Sequence, residues 1–298
     1  MEGAGATVPA PKRSAGHWLA GLFYGRRRLQ VSALLAGPVG WLVIGYLGSL
    51  AVLLVAAFWT VNPVSGEIVH NLSLENFKTL VNEPVYRDVI ERTILIAALV
   101  TVTDAVLAFP VAFYMAKVAS RRGKAILVVA VLLPLWSSYL VKVYAWRTML
   151  SADGVINWAL APLGLHGPGY GNTAVWLVMS YLWLPYMILP IYAGLERIPN
   201  SLISASEDLG APPFTTFRRV ILPLCFPAVV AGSIFTFALT LGDYITPRLV
   251  SNSQFIGTVI FNNITNDQPL ASALALVPIV VMIAYLLTAR RLGAFEHI

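Results

Sequence analysis

Six long apolar blocks constrain this chain more than any other feature of its sequence. An α-helix rises about 1.5 Å per residue, so crossing a hydrocarbon layer roughly 30 Å thick takes about 20 mainly apolar residues. The stretches Ala33–Trp59, Val89–Ala116, Ala125–Trp146, Ala174–Leu195, Leu224–Ile245 and Leu270–Leu287 meet that requirement. Their apolar residues run continuously rather than at amphipathic spacing, so the expected solvent is a bilayer and not water around a buried core. Composition agrees: 58% of residues are hydrophobic and 11% charged, where a soluble domain is about one quarter charged.

Charge then orients the spans. Lys and Arg accumulate in cytoplasmic loops. Here Lys12, Arg13, Arg26, Arg27 and Arg28 precede the first span, Lys117, Arg121, Arg122 and Lys124 join the second to the third, Arg197, Arg218 and Arg219 join the fourth to the fifth, and Arg290 and Arg291 follow the sixth. These are fourteen of the twenty basic residues. An even number of spans with this pattern predicts that both termini are cytoplasmic. The same pattern accounts for the net charge of +6 without invoking nucleic acid. A single cysteine, Cys225, excludes an internal disulfide and a cysteine-based metal cluster.

The expected organisation is a basic, disordered tail over residues 1–32, one membrane domain over 33–290, and a cytoplasmic C-terminus over 291–298. The first 30 residues lack the apolar run of a cleaved signal peptide. Outside the membrane, Asn62–Asp88 is amphipathic in places and Asp153–Thr173 is rich in glycine turns.

The connection between the fourth and fifth spans, residues 197–223, is the segment richest in information. It contains Ser204, Ala205, Ser206, Glu207, Asp208 and, after Leu209, Gly210; after nine more residues come Val220, Ile221, Leu222 and Pro223. Asn200 or Ser201 can cap a short helix that ends at Gly210, and Pro212 can open a second. A helix-turn-helix outside the bilayer, with small, apolar and charged residues on its surface, is suited to dock a soluble partner.

This spacing resembles the signature of permease subunits of binding-protein-dependent ABC importers: Glu-Ala-Ala, three residues, Gly, nine residues, Ile-x-Leu-Pro. Leu133 to Trp146, Gly154 to Asn157, Tyr181 to Glu196 and Leu241 to Pro247 resemble the spermidine/putrescine permeases in particular, over roughly residues 70–290. The resemblance implies an all-α membrane protein of six transmembrane helices with a cytoplasmic coupling helix between the fourth and fifth spans, in a bacterial inner membrane. It implies partners: two copies of an ATP-binding subunit, a second permease subunit completing a heterodimer, an extracytoplasmic substrate-binding protein, and membrane lipid. One departure stands out. Ser204 occupies the place of the signature's glutamate and Ser206 that of its second alanine, so any contact of that glutamate must be absent or made differently.

No Gly-x-x-x-x-Gly-Lys-Ser/Thr phosphate loop occurs. The chain is therefore expected to be a transport subunit and not an enzyme, binding no cofactor itself, with ATP and Mg on the separate ATPase. Ionisable residues within spans are costly and so are functional candidates. Asp104 falls in the inner half of the second span, where Thr101 or Thr103 can hydrogen-bond to it. Asp243 and Lys142 fall near the external ends of theirs and can pair. A polyamine path needs carboxylates and aromatic faces, which Asp243, Asp104, Trp136, Tyr139, Trp183, Tyr186 and Tyr244 can supply. A cation at Lys142 argues against such a path, and Trp146, Trp158 and Trp176 read as an interfacial belt. Iron, sulfate, phosphate and sugar permeases share the loop, so other cargoes fit it too. A membrane enzyme is disfavoured by His17, His70, His166 and His297, which lie outside the spans. A stand-alone secondary transporter or channel is compatible with Pro110, Pro134, Pro185 and Pro190 in the spans, but leaves the loop unexplained.

Overall fold

The structure is a computed structural model that describes residues 27–291, with the side chains of 27–30 and 33 left aside. Most of the tail predicted to be disordered, and the last seven residues of the chain, lie outside the described residues. The chain divides into two units, Met1–Val55 and Ala56–Ile298.

The described residues of the first unit are helical: α1 (Arg27–Trp41) passes through a π-helical turn at Leu42–Leu47 into α2 (Gly48–Ala56). The first described residues, from Arg27, are already helical, within the stretch read as tail. Its apolar part, Leu34–Ala56, is long enough to cross a membrane.

The second unit opens on a small antiparallel hairpin, β1 (Thr60–Val61) with β2 (Ile68–Val69), and the surface helix α3 (Glu75–Asn82). The hairpin is a local exception to the all-α expectation. Buried Asn76 donates to the carbonyls of Ala57 (2.9 Å) and Trp59 (2.8 Å), which ties α3 to the chain leaving the first span. The long helices follow: α4 (Pro84–Phe113, continued by a π turn at Tyr114–Val118), α5 (Arg121–Trp136), α6 (Tyr139–Leu150), the short α7 (Val155–Leu160), and α8 (Asn172–Arg197). Beyond the loop helices α9 (Asn200–Asp208) and α10 (Pro213–Thr216) come α11 (Leu222–Gly242), α12 (Ile245–Val250), α13 (Ile256–Asn263) and α14 (Gln268–Arg291).

Among the described residues, five helices are individually long and apolar enough to span a membrane; α5 and α6 make a sixth if their bent pair counts as one span. The third span, predicted as one segment from Ala125 to Trp146, is thus two helices bent by 89° around Ser137. The fifth ends at Gly242, because the backbone turns extended at Asp243 instead of continuing to Ile245.

Helices α4, α8 and α11 form the centre of the second unit. In lipid there is little hydrophobic drive between helices, so close packing through small residues takes its place. A Cβ added to Gly194 of α8 would lie 2.4 Å from the Cβ of Ala228 in α11, and one added to Gly232 of α11 would lie 2.7 Å from the Met187 sulfur. Two threonines buried here donate within their own helices: Thr101 to Ala97 O (2.7 Å) and Thr240 to Thr236 O (2.8 Å). Trp176 Nε1 donates across helices to Thr103 Oγ1 (3.0 Å), which sets the register of α8 against α4 and gives this tryptophan a structural job beyond an interfacial belt.

Overpacking a tight contact costs about 1–3 kcal/mol. Gly194→Ala is therefore expected to lower the stability of the detergent-solubilised protein by that amount in a denaturant titration. Adding Ala228→Gly should recover most of the loss; no recovery would show that the close approach of α8 and α11 is not the limiting contact.

Candidate functional site

The loop between the fourth and fifth spans folds as its residues dictate. Helix α9 ends at Asp208 and the chain reverses at Gly210, whose φ is +75°. Gly210 N–H bonds to Glu207 O (2.8 Å) and Ala211 N–H to Ser206 O (3.1 Å). This is a Schellman closure, which needs a left-handed residue and hence glycine. Ser206 then reaches into the second helix, its Oγ 2.9 Å from the buried Thr216 Oγ1. Phe217 packs edge-on against Phe109 of α4, with ring centroids 5.2 Å apart. The Leu-Pro at the end of the motif has a local reason as well. Pro223 has no N–H to donate, and a π-helical turn at Phe217–Ile221 directly precedes it, so the irregular hydrogen bonding is gathered at one place.

The predicted N-cap differs. Asn200 is the first residue of α9 and its side chain caps nothing; Pro199 precedes it without a side-chain cap, and Lys117 Nζ donates to Asn200 Oδ1 (3.1 Å). The second helix likewise opens at Pro213, one residue later than expected. Ser204, Ala205, Glu207 and Asp208 are exposed, Val220 and Leu222 are half-buried, and Pro223 is exposed. Two large apolar side chains stand out from the loop, Leu209 at 88% and Phe214 at 70% exposure.

Within the spans the two breaks come together. At the bend between α5 and α6, the Pro134 carbonyl accepts from Ser137 Oγ (2.8 Å) and Lys142 Nζ (2.9 Å). Lys142 therefore staples the bend and does not pair with Asp243. At the end of α11, Asp243 Oδ1 accepts from the backbone N–H of Ile245 (2.9 Å) and of Thr246 (3.3 Å), and its Oδ2 from the hydroxyls of Thr246 (2.7 Å) and Tyr139. Asp243 thus holds the turn into α12 and joins it to α6. From Tyr139 an aromatic ladder continues: its ring stacks on Trp183 (5.9 Å, 11°), and Trp183 meets Tyr186 (6.0 Å, 61°).

Of the residues proposed for a substrate path, Asp243, Tyr139, Trp183 and Tyr186 form one constellation spanning α6, α8 and the α11–α12 turn. Trp136 stands apart at 87% exposure. Tyr244 stacks instead on Phe261 (4.9 Å), whose ring Arg248 covers at 4.6 Å. Asp104 is completely buried, and neither oxygen has a hydrogen-bond partner. The expected donors are engaged elsewhere, Thr101 with Ala97 O and Thr103 with Trp176. Ser180 is the polar side chain beside Asp104, and Ser180 Oγ and Trp183 Nε1 are also buried without partners. Sequence reasoning missed Thr246, which is fully buried and supplies two of the four donors to Asp243. The Asp-x-x-Thr spacing was the available signal, since a carboxylate reaches backbone N–H groups two and three residues on.

Residues 91–294 match the family described as binding-protein-dependent transport system inner membrane component. The chain belongs to this family. It is a transport subunit, a multi-pass permease of the inner membrane. Among curated relatives, the inner membrane ABC transporter permease protein YdcU of Escherichia coli is 43% identical over 97% of this chain and 98% of its own length. The spermidine/putrescine transport system permease protein PotB of Haemophilus influenzae is 30% identical over 69% of this chain and 74% of its own. Among solved structures, a bacterial alginate ABC transporter in complex with an alginate pentasaccharide-bound periplasmic protein superposes with a TM-score of 0.70 at 17% identity, covering 90% of this chain and 96% of the matched one. The MetNI methionine ABC transporter superposes with a TM-score of 0.55 at 16% identity, over 70% and 96%. At such identities the likeness is one of fold.

A left-handed backbone costs an L-residue about 1–2 kcal/mol relative to glycine. Gly210→Ala in the permease is expected to speed amide exchange at Gly210 and Ala211, the closing hydrogen bonds of α9, while leaving α8 and α11 protected. Unchanged protection at 210 and 211 would mean that the closure does not depend on the glycine.

Proposed function

We propose that this permease is one half of the translocation pathway of an ATP-driven polyamine importer. The observation that carries the cargo is the Asp243 carboxyl group set against the Tyr139–Trp183–Tyr186 ladder within the spans. An extended chain of ammonium groups needs acceptor oxygens and aromatic faces, and a cation over such a face gains about 0.5–2 kcal/mol. Lys142 keeps its charge, but its ammonium is held on the Pro134 carbonyl at the bend and not on Asp243, which leaves the carboxyl group without a lysine counter-ion. The names of the PotB relatives support the same class of substrate.

In this reading the exposed loop helix α9, with Leu209 and the acidic Glu207 and Asp208 on its surface, seats in a pair of ATP-binding subunits that hold ATP and Mg. A second permease chain completes the pathway as a heterodimer, an extracytoplasmic protein delivers the polyamine, and both termini face the cytoplasm. Nucleotide-driven closure of the ATPase pair moves the loop and turns the pathway from inward to outward, one population replacing the other.

Two substitutions separate cargo from coupling. Asp243→Asn keeps an oxygen for the backbone turn and removes the charge. It should abolish spermidine uptake by the complete importer in proteoliposomes while the subunits still assemble; normal uptake would sink the substrate role. Gly210→Pro cannot take a φ of +75° and also loses the bond to Glu207 O. It should leave ATP hydrolysis running without uptake, and normal transport by this variant would count against the loop as the coupling element.

A further inference from the structure

Two lysines of the connection between the second and third spans reach across to the base of the loop helix. Lys117, in the π turn that ends the second span, donates from Nζ to Ile198 O (2.6 Å) and Asn200 Oδ1 (3.1 Å). Lys124, in the first turn of α5, donates to Glu196 Oε1 (2.6 Å) and Ala116 O (3.4 Å), and its ammonium lies 5.9 Å from the centre of the Tyr192 ring. Glu196 and Tyr192 belong to the last turns of α8, Ile198 to the joint before α9, and Asn200 to α9 itself. Three consecutive pieces of chain, the end of the fourth span, the joint and the loop helix, are therefore held from the second and third spans.

The placement has a physical logic. The end of α8 presents unpaired carbonyls and the negative end of its dipole, where cations are favoured. Pro199 prevents the helix from continuing, and Lys117 supplies a donor to the Ile198 carbonyl. Met115, two residues before Lys117, packs in the same buried cluster as Leu195 and Ile198, so the joint is held by apolar as well as polar contacts. Lys124 and Glu196 are partly exposed, at 29% and 41%, and an exposed ion pair adds little to stability. Its consequence is geometric: it fixes the joint against rotation.

We propose that Lys117 and Lys124 form a clamp that makes the loop helix, the end of the fourth span and the second-to-third connection move as one body, so that displacement of α9 is carried into the second and third spans. This rests on the coupling role of the loop. It also gives a reason why the chain functions with Ser204 in place of the signature's glutamate: the loop helix is anchored from its own subunit. Lys117 and Lys124 are positioning residues, and the bent third span they hold at one end carries Tyr139 beyond the bend.

The test uses the complete importer in proteoliposomes with Cys225→Ser, spin labels at exposed Ser201 and Val118, and spermidine as cargo. In the unsubstituted clamp, the distance between labels should stay the same in the nucleotide-free and vanadate-trapped states. Lys117→Met and Lys124→Glu should each broaden it, and lower uptake per ATP hydrolysed by roughly tenfold, within the ordinary range for coupled sites. Lys117→Arg should retain both. The charge exchange Lys124→Glu with Glu196→Lys should recover what Lys124→Glu alone loses, and uptake per ATP should fall and return at an unchanged yield of assembled complex, which a merely structural lysine would not show. An unchanged distance distribution in Lys117→Met, or a distance that shifts between states with the clamp intact, overturns the proposal. If Lys117→Met does not assemble, failure of the charge exchange overturns it. The distance measurement needs no cargo, so absence of spermidine uptake by the unsubstituted importer sinks the cargo alone. Normal transport by Gly210→Pro sinks the coupling role of the loop.

Discussion

A backbone group left unpaired in hydrocarbon has no water to turn to, and each one costs several kcal/mol. That constraint determines where the long helices of this permease can be interrupted. At the third span the break comes where Pro134 has a carbonyl that Ser137 and Lys142 can reach. At the fifth it comes where Asp243 takes the N–H groups of Ile245 and Thr246. The two breaks are then joined by the Tyr139 hydroxyl, so the interruption of one span is braced by that of another. Gly257 belongs to the same arrangement: a Cβ there would lie 2.8 Å from the Asp243 carbonyl oxygen, so only glycine lets α13 approach the turn. The residues that make the breaks affordable to a membrane are the ones that gather polar and aromatic groups within it.

This explains which parts of the fold could be read in the sequence. Span number and position follow from apolar length alone, a property local to each segment, and five of the six stretches correspond to single helices. The loop was equally local, since the Gly210 closure needs only residues 206–211. The bend at Ser137 was not legible, because nothing in Ala125–Trp146 falls short of a membrane span in hydropathy; what stabilises the bend is a lysine five residues beyond it folding back. Likewise the partners of Asp243 include a tyrosine 104 positions away. Lys142 and Asp243 could be read as a pair because they are opposite charges at similar depth, yet each bonds backbone or hydroxyl groups instead.

The site residues divide by the same rule. Tyr139, Trp183 and Tyr186 were chosen one by one for their chemistry, and they assemble because Trp183 and Tyr186 are three apart on α8 and share a face, while Tyr139 sits at the start of α6 just past the bend. Trp136 has the same chemistry on the other side of the bend and is directed away from the ladder, with 87% of its surface exposed. Tyr244 follows Asp243 directly in the chain and for that reason points elsewhere, to Phe261. Chemistry selected all of these residues, and only the break geometry distinguishes those that meet.

The bend also connects the two ends of the machinery. The third span begins at Lys124, gripped to Glu196 beside the loop, and after its 89° turn presents Tyr139 to Asp243. A straight helix anchored at both ends would resist motion along its axis and transmit it with little change of direction. A helix pair bent near Ser137 can convert the same displacement into a rotation at the bend, provided that the bend itself stays closed. Lys142 on the Pro134 carbonyl is what keeps it closed. The three lysines on this span and its lead-in, Lys117, Lys124 and Lys142, therefore act in series, two fixing the lever at the loop and one fixing its elbow, with the aromatic ladder at the far side of the elbow.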